Sequence, residues 1–370
     1  MKKVLFVFGT RPEAIKFAPL IKQFKNDTDF ITKICITSQH KEMLKQVIDF
    51  FNLPVDYDLH IMEPNQTLFK ISSKILERIE PVLEDFEPQL IFVQGDASSA
   101  FLAALAGFYK KIKIAHLEAG LRSYNKYAPF PEEINRVLIS HMADYHFAPT
   151  KQAKENLKKE GIKKNVWVVG NTVIDALFLT LDIIKKDEEK YKKFFSFLDF
   201  NKKIILVTGH RRESFGEPFR QICLALKEIA TKFEKEVEIV YPVHLNPNVR
   251  KPVFEILSHQ KNIYLIEPLE YPYLVWLLNK SYLVLTDSGG IQEEAPSLGK
   301  PVLVMREVTE RIEGIKAGTA KLVGTKKESI VKNTTLLLTK TSLYKKMAKA
   351  KNPYGDGKSS ERVVEIIKKL

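Results

Sequence analysis

The sequence predicts two doubly wound α/β domains, each built on a parallel sheet, and three observations predict it. The chain has 370 residues, more than one small core organises and enough for two domains of ordinary size. Short apolar runs alternate with helical patterns from end to end. The runs are continuous Val, Ile, Leu and Phe rather than alternating, which marks strands covered on both faces and hence parallel sheets.

The strand-like runs come in two series. Val4–Phe8, Ile31–Ile36, Leu90–Val93, Ile112–His116, Tyr145–Ala148 and Val166–Val169 form the first. Ile204–Val207, Val237–Tyr241, Asn262–Ile266, Tyr282–Leu285 and Pro301–Met305 form the second. The opening Met1-Lys-Lys and its apolar run have a signal peptide's start, but the run is short and enters Gly9-Thr-Arg-Pro-Glu13 without a small-residue cleavage site, so it reads as the first strand. Between Gly170-Asn-Thr-Val-Ile-Asp175 and Asn201 lies a helix and then a charged, aromatic stretch, where one series ends and the next begins. Domains over 1–170 and 171–357, with a cleft between them, are the economical organisation. No apolar run approaches the ~18–20 residues that span a membrane. Cys35 and Cys223 lie far apart in apolar surroundings, so neither a disulfide framework nor a metal knuckle is expected, and a reducing cytoplasm fits.

Composition is 45% hydrophobic and 28% charged, with a formal net charge of +13. That excess is lysine spread along the chain, without a dense basic tract interleaved with aromatics, which argues for a solvated surface and against a nucleic-acid groove. Arginine is more selective. Against 47 Lys there are 11 Arg, and seven of them (Arg11, Arg122, Arg136, Arg211, Arg212, Arg306, Arg311) fall in the segments described next. A planar fork suits phosphate or carboxylate, and arginine kept scarce marks such places.

In doubly wound sheets ligands bind beyond the carboxyl ends of the strands. After the first strand comes Gly9-Thr-Arg11-Pro12-Glu-Ala-Ile-Lys16, a turn and a helix start with two cations; Pro12 suits the first helical position. Later strands lead into Gln94-Gly-Asp96, Glu118-Ala-Gly120-Leu-Arg122, Thr208-Gly-His210-Arg211-Arg212, Pro242-Val-His244, Asp287-Ser288-Gly289-Gly290 and Arg306 to Arg311. Each supplies glycine for close approach, or a titratable or cationic group. Ser288-Gly289-Gly290 is either an ordinary strand-to-helix turn or a cradle for an anion at the free N–H groups of a new helix. Asp96, Glu118, Glu132 and Glu133 are either caps and ion-pair partners or the carboxyl groups of general acid/base chemistry, whose pKa values burial moves apart. His210 is either a hydrogen-bonded structural residue or a phosphate contact beside Arg211. No His, Cys and Asp cluster has metal-ligand spacing, and neither a Gly-x-Gly-x-x-Gly nor a P-loop pattern occurs, so neither metal nor cofactor is expected.

Taken together, Phe8-Gly-Thr-Arg-Pro-Glu-Ala-Ile-Lys16, Gln94-Gly-Asp96, His116-Leu-Glu-Ala-Gly-Leu-Arg122, Pro131-Glu-Glu-Ile-Asn-Arg136 and Gly170-Asn-Thr-Val-Ile-Asp175 resemble one family in order. Thr208-Gly-His-Arg-Arg-Glu-Ser-Phe-Gly216, Asp287-Ser-Gly-Gly-Ile-Gln-Glu-Glu-Ala-Pro296 and Asn352-Pro-Tyr-Gly-Asp-Gly357 continue it. The chain resembles, over its whole length, the bacterial non-hydrolysing UDP-N-acetylglucosamine 2-epimerases. The resemblance implies a GT-B-like fold of two Rossmann-like domains with an interdomain active-site cleft, a C-terminal helix within 358–370 returning to the first domain, and a cytoplasmic homodimer. It implies interconversion of UDP-GlcNAc and UDP-ManNAc: the C2 proton leaves with UDP to give a 2-acetamidoglucal, and UDP adds back after reprotonation on the other face.

By the same resemblance Asp96, Glu118, Glu132 and His210 are catalytic. Arg11 and Lys16 contact the diphosphate region, Glu294 the ribose, and Arg311 a further part of the substrate, with Arg211, Ser288, Gly289 and Gly290 around the leaving UDP. Leu274 stands where the family often has an aromatic near the uracil, and Tyr273 is the substitute. Ile312 stands where the family usually has proline. Gln39, His40, Glu133, Arg211 and His244 match a regulatory UDP-GlcNAc site, although Asn65 replaces a common arginine. Two enzymes with the same cradle are the alternatives, a GT-B glycosyltransferase and a hydrolysing 2-epimerase that releases ManNAc; a non-catalytic nucleotide-sugar sensor is a third.

Overall fold

The computed structural model describes residues 1–38, 41–63 and 66–370. The chain forms two compact units, Met1–Leu179 with Tyr354–Leu370, and Thr180–Pro353. The helix Thr172–Ile184 spans the point where one unit passes into the other. No described helix is long and apolar enough to cross a membrane.

The first unit carries a seven-stranded parallel sheet of β1 (Lys2–Phe8), β2 (Phe30–Ile36), β3 (Tyr57–Asp58), β4 (Leu90–Gln94), β5 (Lys113–Leu117), β6 (Tyr145–Ala148) and β7 (Val166–Val168). Its order is β3-β2-β1-β4-β5-β6-β7, so the chain winds outward from β1 on one side and then from β4 on the other. The crevice beyond β1 and β4 is therefore the topological switch point, where such sheets hold ligands. Side chains alternate across the pleat. Leu5, Val7, Ile91 and Val93 pack on one face with Ile75, Ile79 and Leu83 of the helix Leu68–Phe86. Phe6 and Phe92 stack on the other at 4.9 Å, with Phe17 edge-on at 5.3 Å. Both faces are thus filled, as the unbroken apolar runs require.

The C-terminal helix Ser359–Lys369 belongs to this unit and packs along the helix Arg11–Asn26. Asp175 fixes its start by accepting the amides of Ser359 (3.2 Å) and Ser360 (2.6 Å), and Lys368 reaches Asp27 at 2.6 Å near its end. Asn171 donates its amide to the Tyr354 carbonyl at 2.6 Å. The segments around Asp175 and Tyr354 therefore act together as the anchor of this helix.

The second unit repeats the plan with β8 (Lys203–Thr208), β9 (Val237–Pro242), β10 (Ile263–Ile266), β11 (Leu283–Thr286), β12 (Val302–Val304) and β13 (Ala320–Leu322), all parallel, in the order β10-β9-β8-β11-β12-β13. Its switch point lies beyond β8 and β11. The charged, aromatic stretch after Ile184 folds as the helix Glu188–Phe194, and Phe195 stacks on Trp276 at 5.1 Å.

Sequence expects eleven strands, and the structure adds β3 and β13. Both are edge strands of two and three residues. An edge strand needs no double cover, so neither leaves a continuous apolar run, and β13 even exposes its central Lys321.

Candidate active site

At the first switch point β1 ends in the turn Gly9-Thr10, where a Cβ on Gly9 would overlap the hydroxyls of Thr37 and Ser99. Only glycine lets the three segments meet there. The helix Arg11–Asn26 then starts with Arg11, half-buried, and Pro12 as its second residue. Glu13 closes the turn. Its Oε2 accepts from the amides of Gly9 (3.1 Å) and Thr10 (2.8 Å) and from the Thr10 hydroxyl (2.7 Å), a capping-box arrangement. Its Oε1 is buried without a partner. Burial outweighs the three donors and pushes the carboxyl up to about 7.

Glu118, just past β5, sits in the left-handed region at φ +62°, which non-glycine residues avoid. The strained backbone places its carboxylate where three elements supply donors. Lys16 Nζ and Gln94 Nε2 each lie 2.6 Å from Oε2, and Asn171 Nδ2 lies 3.2 Å from Oε1. The Lys16–Glu118 pair is mostly shielded from water, so it is screened little.

Asp96 lies in the turn after the neighbouring strand β4 and is paired with Arg136, while Asn135 Nδ2 holds its carbonyl at 2.9 Å. Arg136 also reaches Glu133 at 3.3 Å. Glu133 is buried and accepts the amides of Ser123 (3.0 Å) and Tyr124 (2.9 Å), so it ties down the loop before its own helix. Glu132 opens the helix Glu132–Met142 and is half-buried. His116 donates from Nε2 to the Gly95 carbonyl at 2.7 Å, and burial drives its ring down to about 3, so it is a neutral brace for the Gly95-Asp96 turn. The Arg122 side chain is fully buried in a two-pronged pair with Glu160 at 2.7 and 2.6 Å. Its fork therefore serves the fold.

At the second switch point β8 and β11 are tied beyond their ends. The Thr208 and Thr286 hydroxyls meet at 2.5 Å, and Asp287 Oδ2 accepts the amides of His210 (2.6 Å) and Arg211 (2.8 Å). The His210 ring is stacked on His244 at 5.2 Å, and His244 Nδ1 accepts the amide of Asn246 at 3.1 Å. Burial lowers the His210 pKa, with Asp287 opposing. Arg211 Nε is buried without a hydrogen-bond partner.

Ser288 precedes the short helix Gly289–Glu294, and its amide donates to Thr286 Oγ1 at 2.9 Å. A Cβ on Gly289 would stand 3.0 Å from the Arg311 guanidinium carbon, so glycine lets this arginine lie against the turn; a Cβ on Gly290 would meet Glu294 at 3.6 Å. Arg311 Nε donates to buried Glu293 at 3.0 Å, the first rung of a ladder that continues through Glu310 and Arg306 to Glu213. Ile312 is the first residue of the helix Ile312–Ala317, a position that also suits the proline expected there. Glu294 is buried and accepts from the Tyr271 hydroxyl at 2.9 Å. Tyr273 and Leu274 lie half-buried on the helix Tyr271–Lys280. The Tyr273 ring is engaged by Phe194 at 4.6 Å and Tyr191 at 4.9 Å, in an aromatic cluster of the second unit.

Within the first unit the structure thus joins Lys16 and Glu118, and separately Asp96 and Glu133; within the second it joins His210, Arg211 and His244, and Gly290 with Glu294. Gln39, His40 and Asn65 lie outside the described residues. Sequence reasoning did not single out Gln94, Asn171, Asn135, Asp287 and Tyr271, which hold the candidates in place. Four of them lie inside the quoted segments, but nothing in a linear pattern says which atoms they reach. Among the described residues no group of three or more His, Cys, Asp or Glu could hold a metal ion.

Comparison with known proteins gives one answer. A model of the family described as UDP-N-acetylglucosamine 2-epimerase matches residues 22–368. The UDP-N-acetylglucosamine 2-epimerase of Escherichia coli K12 is 52% identical over 370 residues, covering 99% of this chain and 98% of that protein. The enzyme of the same name from Campylobacter jejuni is 53% identical over 374 residues, covering 99% and 97%. The crystal structure of the Neisseria meningitidis UDP-GlcNAc 2-epimerase bound to UDP-GlcNAc superposes over 100% of both chains with a TM-score of 0.93 at 50% identity. These matches also bear out the GT-B-like α/β fold. The chain belongs to the UDP-N-acetylglucosamine 2-epimerase family.

Proposed function

We propose that this protein interconverts UDP-GlcNAc and UDP-ManNAc without hydrolysis, by eliminating UDP to a 2-acetamidoglucal and adding it back, as a cytoplasmic homodimer that supplies ManNAc-type sugars for surface polysaccharide. Inverting C2 requires a proton to leave one face and another to arrive on the opposite face. Asp96, Glu118 and Glu132 are the groups for that exchange. The observation that carries the reading is the Glu118 carboxylate, fixed by Lys16, Gln94 and Asn171 on a strained backbone. Strain of this kind is retained where a side chain must be aimed.

Breaking the C1–O bond puts negative charge on the departing diphosphate. His210, Arg211 and the Ser288-Gly289-Gly290 turn are the groups to stabilise it, with Arg11 and Lys16 on the diphosphate region. Glu294, oriented by Tyr271, is suited to the ribose hydroxyls. Arg311 makes a further substrate contact, and Leu274 and Tyr273 stand near the uracil. Glu133, Arg211 and His244 belong, with Gln39 and His40, to a regulatory UDP-GlcNAc site. A bound Neisseria meningitidis relative at 50% identity supports the choice of ligand.

Single amide substitutions test the chemistry. Asp96→Asn, Glu118→Gln and Glu132→Gln are each expected to lower kcat by ~10²–10⁴-fold while the far-ultraviolet circular dichroism stays that of the parent. Three variants with parental kcat would refute the assignment of proton exchange to these carboxylates.

A further inference from the structure

We infer that Asp287 is a positioning residue whose second carboxylate oxygen takes the Nδ1–H of His210, fixing the ring so that Nε2 is the nitrogen presented to the reaction. The inference rests on the reading that His210 acts on the departing diphosphate, and adds to it the group that sets its tautomer.

Asp287 is fully buried, and its two oxygens differ. Oδ2 accepts the backbone amides of His210 at 2.6 Å and Arg211 at 2.8 Å. Oδ1 has no hydrogen-bond partner, although His210 Nδ1 stands 3.5 Å away. A buried carboxylate oxygen without a donor is costly, and a small rotation of the imidazole closes this gap. The backbone beneath the ring cannot supply that movement. It is clamped through Oδ2, through the Thr208–Thr286 hydroxyl pair, and through the Tyr241 hydroxyl, which holds the Gly209 carbonyl at 2.8 Å. The remaining freedom is the side chain of His210 itself, and His244 covers one ring face with the planes 14° apart.

The charged and titratable groups around the ring are Asp287 from the end of β11, His244 from beyond β9, and the adjacent Arg211. Asp287 favours the imidazolium, while His244, Arg211 and burial oppose it. With one proton on Nδ1 directed at Asp287, the second proton of the imidazolium sits on Nε2, which donates it to a phosphate oxygen as charge builds there. Without the carboxylate the ring has no reason to hold that tautomer.

The test is Asp287→Asn in the full-length enzyme, assayed by UDP-ManNAc formation, beside His210→Asn and the double variant. In the Asp287→Asn variant the new amide oxygen still accepts the two backbone amides, but its NH₂ faces Nδ1 and selects the opposite tautomer. We expect kcat to fall ~10²–10⁴-fold with KM changed less than about threefold. The basic limb of the kcat/KM profile moves down in pH, because the charge favouring the donating imidazolium is gone. In the His210→Asn background, Asp287→Asn costs less than about threefold more, since the two act as one device.

Parental kcat and an unmoved limb in Asp287→Asn, with His210→Asn impaired, would overturn the inference. Full activity in His210→Asn would instead overturn the reading beneath it. Nitrogen-15 NMR of the unmodified enzyme, with His210 assigned by loss of its signal in His210→Asn, reads the tautomer whatever the fate of the variants. Protonated Nδ1 in the neutral ring supports the inference, and protonated Nε2 contradicts it.

Discussion

Glu13 makes the fold sensitive to pH in a direction opposite to that of an ordinary ion-paired carboxylate. Its three donors on Oε2 favour the charged form, but the buried, unpartnered Oε1 and the surrounding apolar core disfavour it more. The carboxyl therefore moves from its usual 4.5 to about 7, with burial the largest cause and nearby Asp96 adding to it. A group that holds its proton more tightly when folded contributes fully below its unfolded pKa. That contribution is lost as pH rises to the folded value. At 1.36 kcal/mol per pKa unit the whole effect is about 3 kcal/mol, of which about 2 kcal/mol falls between pH 5 and 7. Glu13→Gln keeps an oxygen to accept the same three donors and cannot ionise. Urea unfolding of protein and variant across pH 5 to 8 should show the variant gaining about 2 kcal/mol relative to the parent by pH 7, with unchanged m-values. A difference between the two that stays constant across this range would refute the argument.

Two further predictions concern groups that sequence placed among the candidates or their segments. Arg122→Leu leaves Glu160 without its buried partner and is expected to cost about 3 kcal/mol in the unfolding of the first unit, at the low end for a broken pair because Glu160 is partly wet; a loss under about 1 kcal/mol would mark the pair as no better than a surface bridge. Asp175→Ala removes the acceptor of the Ser359 and Ser360 amides and is expected to cost about 1–2 kcal/mol. Hydrogen exchange should then quicken over residues 359–369 and stay slow in β1 and β4, and unaltered exchange in that helix would contradict the anchoring role.

The order of elements was legible in the sequence because parallel strands must be apolar on both sides, and Phe6 with Leu5 illustrates both faces at once. What was not legible follows from the same physics. β3 and β13 are short edges that need no apolar run. The arginines were readable as forks but not as to what they grip: Arg122, Arg136, Arg306 and Arg311 all hold carboxylates of their own unit. Glu118 and His210 were visible as candidates at strand ends, whereas the groups that aim them, Gln94, Asn171 and Asp287, are ordinary residues in a linear reading. Only the folded register brings the Gln94 amide to Glu118, or turns both Asp287 oxygens toward the His210 segment. Tyr273 was legible as an aromatic near an expected base site, but its packing against Phe194 and Tyr191 was not.

Epimerisation of this kind loses and regains the C2 proton, and proton NMR of the purified protein with UDP-GlcNAc in D₂O follows both events. New UDP-ManNAc signals, deuterium at C2 in both the product and the recovered UDP-GlcNAc, and no accumulating free sugar are expected. Accumulation of free ManNAc with UDP, or product formed with its C2 proton retained, would contradict it.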